Sequence, residues 1–260
     1  MSEDVRIHDN RLRAESFGSI AANYDRFRPG YPPALFDELM TLSPRRVLDI
    51  GCGTGKAAVP LIERGVDVLG VEIDERMAEV ARSYGVEVEV ASFETWDAAG
   101  RTFDMIISGQ AWHWVDPGTG PVKAAQLLEP GATMALFWNT DRKREPLASV
   151  IDAIYRDQAP EIMATIEALK AHHRDRPYVA PIEASGLFTS VRTKYFDSER
   201  VDTRDQWLGL IGTHSDHVTL DPQRRERLLA SVGAAIDHAG GTIPVDVSTY
   251  LVLASTSGRE

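Results

Sequence analysis

Apolar positions along the first forty residues recur at helical spacing. Phe17, Ile20, Tyr24 and Phe27 step by three and four, which predicts a helix over 16–27 that Pro29 and Gly30 end. A second helix starts at Tyr31-Pro32-Pro33 and carries Leu35, Phe36, Leu39 and Met40. The period then changes. Residues 46–50 (RVLDI), 66–73 (VDVLGVEI), 86–91, 103–108 (FDMIIS) and 132–138 (ATMALFW) are short apolar or alternating runs, the signature of strands. Helical segments are expected between them: after Gly55 as far as Arg64, from an Asp74 N-cap to about Tyr84-Gly85, and over 122–128. Pro60 is tolerable in the first of these only within or near its first turn. Strands alternating with helices over 46–139 predict a parallel α/β sheet covered on both faces.

The rhythm then breaks. Leu147, Val150, Ile151, Ile154 and Tyr155 form one helical stripe, and Ile162, Ile166 and Leu169 another. A long strand is expected over 191–201, helices over 204–211 and from Asp221-Pro222 to Gly240-Gly241, and a last strand over 245–254.

The candidate chemistry centres on Asp49-Ile50-Gly51-Cys52-Gly53-Thr54-Gly55, which joins the first strand to a helix. Open α/β sheets bind ligands at such carboxyl ends, and glycine lets the backbone come close to a ligand. A Walker P-loop does not fit, because the glycine before Gly55-Lys56 is one residue too close and Ala57 replaces the metal-binding hydroxyl. A dinucleotide fold wants G-x-G-x-x-G where this chain has G-x-G-x-G, and Tyr-x-x-x-Lys occurs nowhere. The segment matches [DE]-x-G-x-G-x-G at every position. It resembles the S-adenosylmethionine (SAM) motif of class I methyltransferases.

Further segments extend the resemblance. Glu72 ends the second strand about twenty residues on, where a carboxylate can accept from both ribose hydroxyls, and Ile73 would lie against the adenine. Ser92, Phe93 and Glu94 follow the third strand, where the family reads the adenine edge; Ser92 stands where an Asp is commoner. The fourth strand, Phe103 to Ser108, ends facing the methionine part of SAM, with Gln110 just beyond. Phe17 to Pro32 (FGSIAANYDRFRPGYP) looks like the N-terminal cap of type 11 methyltransferases, including relatives of trans-aconitate methyltransferase. By that resemblance Tyr24 closes over the sulfonium and Arg28 pairs with the cofactor carboxylate, while Asp49, Gly51, Cys52, Gly53, Thr54 and Gly55 hold its amino-acid end. The implied fold is a Rossmann-like, seven-stranded doubly wound sheet forming one domain over 1–260. It comprises a helical cap (16–40), a SAM-binding core (46–139), helical additions over the acceptor pocket (141–180 and 203–240) and a last strand (245–254).

His113, between Trp112 and Trp114 directly after the fourth strand, is the candidate general base. Trp112, Trp114, Trp138 and Trp207, with Arg142 and His214, are candidates for the acceptor pocket; the alternative for the tryptophans is that they anchor the core. His214 and His217, with Asp216, have a spacing that suggests metal ligands, but methyl transfer needs none and a helix-end cluster or lid is the expectation. Asp141-Arg142-Lys143-Arg144 reads either as a grip for an anionic substrate or as a solvated face.

Composition narrows the partners. Asp+Glu 39 against Lys+Arg 28 leaves a net charge of −11, which disfavours nucleic acid and membrane surfaces. A lone cysteine excludes an internal disulfide and multi-cysteine metal sites. No apolar signal core stands at the start, so a cytoplasmic protein is expected, monomer or homodimer. The expected activity is SAM-dependent methylation of a small molecule, a carboxylic acid or hydroxylated metabolite. A SAM-binding sensor or assembly partner without transferase activity and a nicotinamide oxidoreductase are the rivals.

Overall fold

The computed structural model describes residues 21–172 and 178–258. Expectations resting on Phe17 and Ile20 lie outside them, as do those on the side chain of Leu169.

Seven strands form one sheet: β1 (Arg46–Ile50), β2 (Asp67–Glu72), β3 (Glu87–Val90), β4 (Phe103–Gly109), β5 (Leu128–Lys143), β6 (Phe188–Thr203) and β7 (Thr242–Thr256). Their order is β3-β2-β1-β4-β5-β7-β6. β1 to β5 run parallel, and β7 lies antiparallel between β5 and β6. β1 and β2 are buried at every position but their first, because helices cover both faces. Successive side chains alternate between the two faces. Leu48, Ile50, Leu136 and Trp138 join one core layer, while Val47, Met105, Ala135 and Phe137 join the other.

Local sequence chemistry marks some of the connecting helices. α1 (Ala21–Phe27) and α2 (Pro33–Met40) precede the sheet. α3 (Ala58–Ile62) is a short helix with Pro60 at its third position, inside the first turn, where its missing N–H leaves no intrahelical bond unmade. Asp74 caps α4 (Glu75–Ser83) by accepting from Arg76 N–H. α5 (Gly120–Leu127) leads directly into β5.

Beyond β5 come α6 (Leu147–Gln158), α7 (Pro160–His172), α8 (Val179–Ala184), α9 (Arg204–Ile211), α10 (Ser215–Val218) and α11 (Pro222–His238). Thr203 and Gln206 make a reciprocal capping box on α9, and Asp221 caps α11 with Pro222 at its first position. Leu147, Ile151 and Tyr155 of α6 pack with Trp207 of α9, Leu228 and Val232 of α11 and Val245 of β7 in a third core, beside the far end of the sheet.

Two boundaries differ from expectation. β5, β6 and β7 are 16, 16 and 15 residues long, so they outrun the other four parallel strands. Asp141, Arg142 and Lys143 therefore extend β5, where they pair with Val247, Asp246 and Val245, and the helical addition expected from 141 starts at Leu147. α8 and α10 are too short to leave a periodic stripe.

Candidate active site

The sheet order reverses between β1 and β4, and open α/β sheets bind their ligands at that switch point. There the glycine turn packs against the loop after β4. Gly51, Gly53 and Gly55 have φ of +66°, +56° and +86°. At Gly51 a Cβ would lie 2.5 Å from Ala111 Cβ, so only glycine fits both the conformation and the space. Gly53 N–H donates to Glu72 Oε2 at 2.9 Å, and Asp74 N–H donates to Glu72 Oε1 at 3.0 Å. Burial raises the Glu72 carboxyl despite those donors.

A cavity of about 530 Å³ opens beside the turn. Its floor is Asp49, Gly51, Cys52, Gly53 and Thr54, and its side is Gly109, Gln110 and the end of β5. Tyr24 and Arg28 at the end of α1 form part of its roof, with Tyr155, Trp207 and His214 from the later helices. Asp49 is fully buried, and among the described residues neither carboxylate oxygen has a hydrogen-bond partner; the buried Thr54 hydroxyl has none there either. Burial, then the charge of Glu72, pushes the Asp49 carboxyl up to about 8. Cys52 is buried and its thiol is pushed up by burial, which keeps it an inert packing group.

Arg28 is held in place from the opposite side. Its Nε donates to Thr213 Oγ1 at 2.9 Å and a terminal nitrogen to Thr213 O at 3.2 Å, while its guanidinium lies 5.1 Å from the centre of the Tyr24 ring. α1 approaches α9 closely because Gly209 leaves room for the Phe27 ring. Gln110 has a positive φ of 58° and donates from Nε2 to Asn139 O at 3.1 Å.

The later helices bring three chemical groups to the cavity as a chain. Tyr155 Oη lies 2.7 Å from His217 Nε2, and His217 Nδ1 lies 2.7 Å from Asp216 Oδ1. Asp216, His217 and His214 have ligand atoms within 4.8 Å of one another. Both ring nitrogens of His217 are already engaged, an arrangement that suits hydrogen bonding better than metal ligation. Burial, then the charges of Arg28 and His217, holds His214 well below the ordinary imidazole range, so it is neutral at pH 7. Trp207 Nε1 and Asp141 Oδ1 are buried without a hydrogen-bond partner among the described residues and belong to residues of the same wall.

Several expected pocket residues lie elsewhere. Trp112 and Trp138 are core side chains of one sheet layer; Trp138 stacks on Tyr178 with centroids 4.0 Å apart. Trp138 Nε1 donates to His113 Nδ1 at 3.3 Å, and neither His113 nor its neighbour Trp114 lines the cavity. Arg142 points away from it, because strand alternation places Asp141 and Lys143 on the cavity wall and Arg142 outside, paired with Asp246. The basic run is neutralised throughout: Lys143 pairs with Asp152, and Arg144 with Asp246 and Glu199. Ile73, Ser92, Phe93 and Glu94 stand in loops outside the cavity; Phe93 is buried against Trp112, and Ser92 Oγ bonds Thr95 Oγ1. Tyr155 was hidden in the sequence by its place in an apolar helical stripe. Asp216 and His217 were visible there only as a spacing.

Comparisons with known proteins follow this geometry. Residues 47–131 match the family described as a methyltransferase domain. An uncharacterized methyltransferase of Mycobacterium tuberculosis is 41% identical over 132 residues, 50% of this chain and 54% of its own length, so the chain spans about half of that relative. A ubiquinone biosynthesis O-methyltransferase of Sinorhizobium fredii is 30% identical over 225 residues, covering 75% of this chain and 90% of the relative. A solved structure described provisionally as a type II methyltransferase, from Anaeromyxobacter dehalogenans, is 25% identical with a TM-score of 0.66 over 89% of this chain and 98% of that one.

Proposed function

Since the chain belongs to the S-adenosylmethionine-dependent methyltransferase family, we propose that it binds SAM in the cavity beside the glycine turn and transfers its methyl group to a small molecule. The observation that carries this reading is Asp49. A fully buried carboxylate with two unpartnered oxygens is costly unless a cation joins it. The ammonium of an amino-acid end supplies that cation, and the unpartnered Thr54 hydroxyl offers a further contact. The Arg28 guanidinium receives the carboxylate, since the N–H groups of Gly51, Cys52, Gly53 and Gly55 are spent within the fold. Glu72 keeps lone pairs free for ribose hydroxyls, and Ile73, Ser92, Phe93 and Glu94 lie along the carboxyl ends of β2 and β3, where the adenosine would follow.

When bound, the sulfonium supplies a methyl group already activated for displacement. The protein's work is then alignment and exclusion of water, worth several kcal/mol of barrier. Tyr24 and Arg28 close one side, and Tyr155, Trp207 and His214 close the other around the remaining space. That space suits a small acceptor.

The test is calorimetry with SAM, S-adenosylhomocysteine and NADH, followed by transfer of radiolabelled methyl to small acceptors. Binding of the two adenosyl ligands but not NADH, with label transferred, is expected. Binding of NADH alone would replace the reading with an oxidoreductase, and SAM binding without transfer to any acceptor would leave a binding protein.

A further inference from the structure

The chain of Tyr155, His217 and Asp216 has no task in holding SAM, yet all three line the cavity. Its hydrogen bonds have one consistent reading. Asp216 can only accept while ionised, so His217 Nδ1 carries a proton, and Nε2 is left to accept from the Tyr155 hydroxyl. Burial opposes charge on Asp216, but the hydrogen bond from His217 outweighs it and the carboxyl is held at about 2. Tyr155 Oη thus spends its proton on His217 and keeps its lone pairs for a donor in the cavity. The other titratable and charged groups around the chain are the neutral His214, whose ring lies 5.8 Å from that of His217, Arg28 facing His214, and Asp152, which faces Tyr155 and pairs with Lys143.

We propose that Tyr155 and His217, oriented by Asp216, form a proton relay that deprotonates the methyl acceptor, and that the acceptor is therefore a hydroxyl compound rather than a carboxylate. This rests on the SAM reading above. A hydroxyl is a poor nucleophile until its proton leaves as the new bond forms. As the oxygen–methyl bond forms and the sulfur–methyl bond breaks, sulfur keeps the bonding pair. The acceptor proton passes to Tyr155 Oη, and the proton of Tyr155 passes to His217 Nε2. The positive charge lost from sulfur ends on an imidazolium beside the Asp216 carboxylate, and solvent removes that proton afterwards. A carboxylate has no proton to give and would leave the relay idle.

The experiment uses the full chain with radiolabelled SAM and two sets of probes: catechol, phenol and benzyl alcohol against benzoate and succinate. Label should reach hydroxyl probes only. Tyr155→Phe should bind SAM within threefold of wild type by calorimetry but lose at least a hundredfold in kcat. His217→Gln and Asp216→Asn should each lower kcat at least tenfold while SAM affinity by calorimetry stays within threefold of wild type, a split that a merely structural role would not give. Transfer to carboxylates alone overturns the proposal. So do undiminished rates in both Tyr155→Phe and His217→Gln, or no transfer to any probe by a protein that binds SAM. Failure of the wild type to bind SAM would instead remove the underlying cofactor assignment, and the relay's role with it.

Discussion

Asp49 shows how one buried group ties folding to ligand. Its folded carboxyl sits at about 8, well above the ordinary value of 3.8, because burial disfavours the charge. A raised carboxyl favours the fold fully below the unfolded value and loses that contribution as pH rises through about 8, since the folded state holds a proton that the unfolded chain has released. The ligand-free protein should therefore lose thermal stability between about pH 4 and 8, and Asp49→Asn should flatten that fall. A melting-temperature series across this range checks it; equal slopes for the two proteins would mean Asp49 is not buried as a neutral acid. At this scale the sequence was half legible. The acid and glycines of the turn were marked by spacing, whereas Tyr155 looked like any other apolar member of a helix. His113 stands outside the cavity, since being next to a strand end says nothing about which way a ring turns, and its Nδ1 accepts from Trp138. Arg142 fails for a simpler reason: one step along a strand reverses the face.

At the level of elements, the alternation of strands and helices through 139 was readable because the central strands β1 and β2 are buried on both faces and Asp74 marks the start of the helix after β2. The far side was not readable in the same way. β5 and β7 continue past the buried sheet with alternating polar residues, which resemble loop sequence until their pairing is known. The latch between α1 and the end of α9 joins residues 185 positions apart, beyond any local signal. It has a measurable consequence. Thr213→Val keeps the volume but removes the acceptor for Arg28 Nε, so the cap should hold less firmly. SAM affinity should fall about fivefold to tenfold, in keeping with about 1 kcal/mol for a part-buried hydrogen bond to a charged group. Unchanged affinity by calorimetry would show that the latch does not organise the cavity.

Across the whole molecule, a surface carrying a net charge of −11 surrounds a cavity into which Arg28, Lys56 and Lys143 project. Among the described residues, no helix is long and apolar enough to cross a membrane. SAM carries a net positive charge, so the acidic surface should speed its approach while Arg28 receives its carboxylate. Burying its ammonium against Asp49 should also drive off the proton that the empty site retains near neutral pH. The most direct measurement is calorimetric titration of SAM at pH 7 in two buffers of different ionisation enthalpy, for wild type and Asp49→Asn. The wild type should bind with release of close to one proton, and the variant should bind at least tenfold more weakly with none. No binding by the wild type, or equal affinity and proton release in both proteins, would contradict a cofactor held at Asp49.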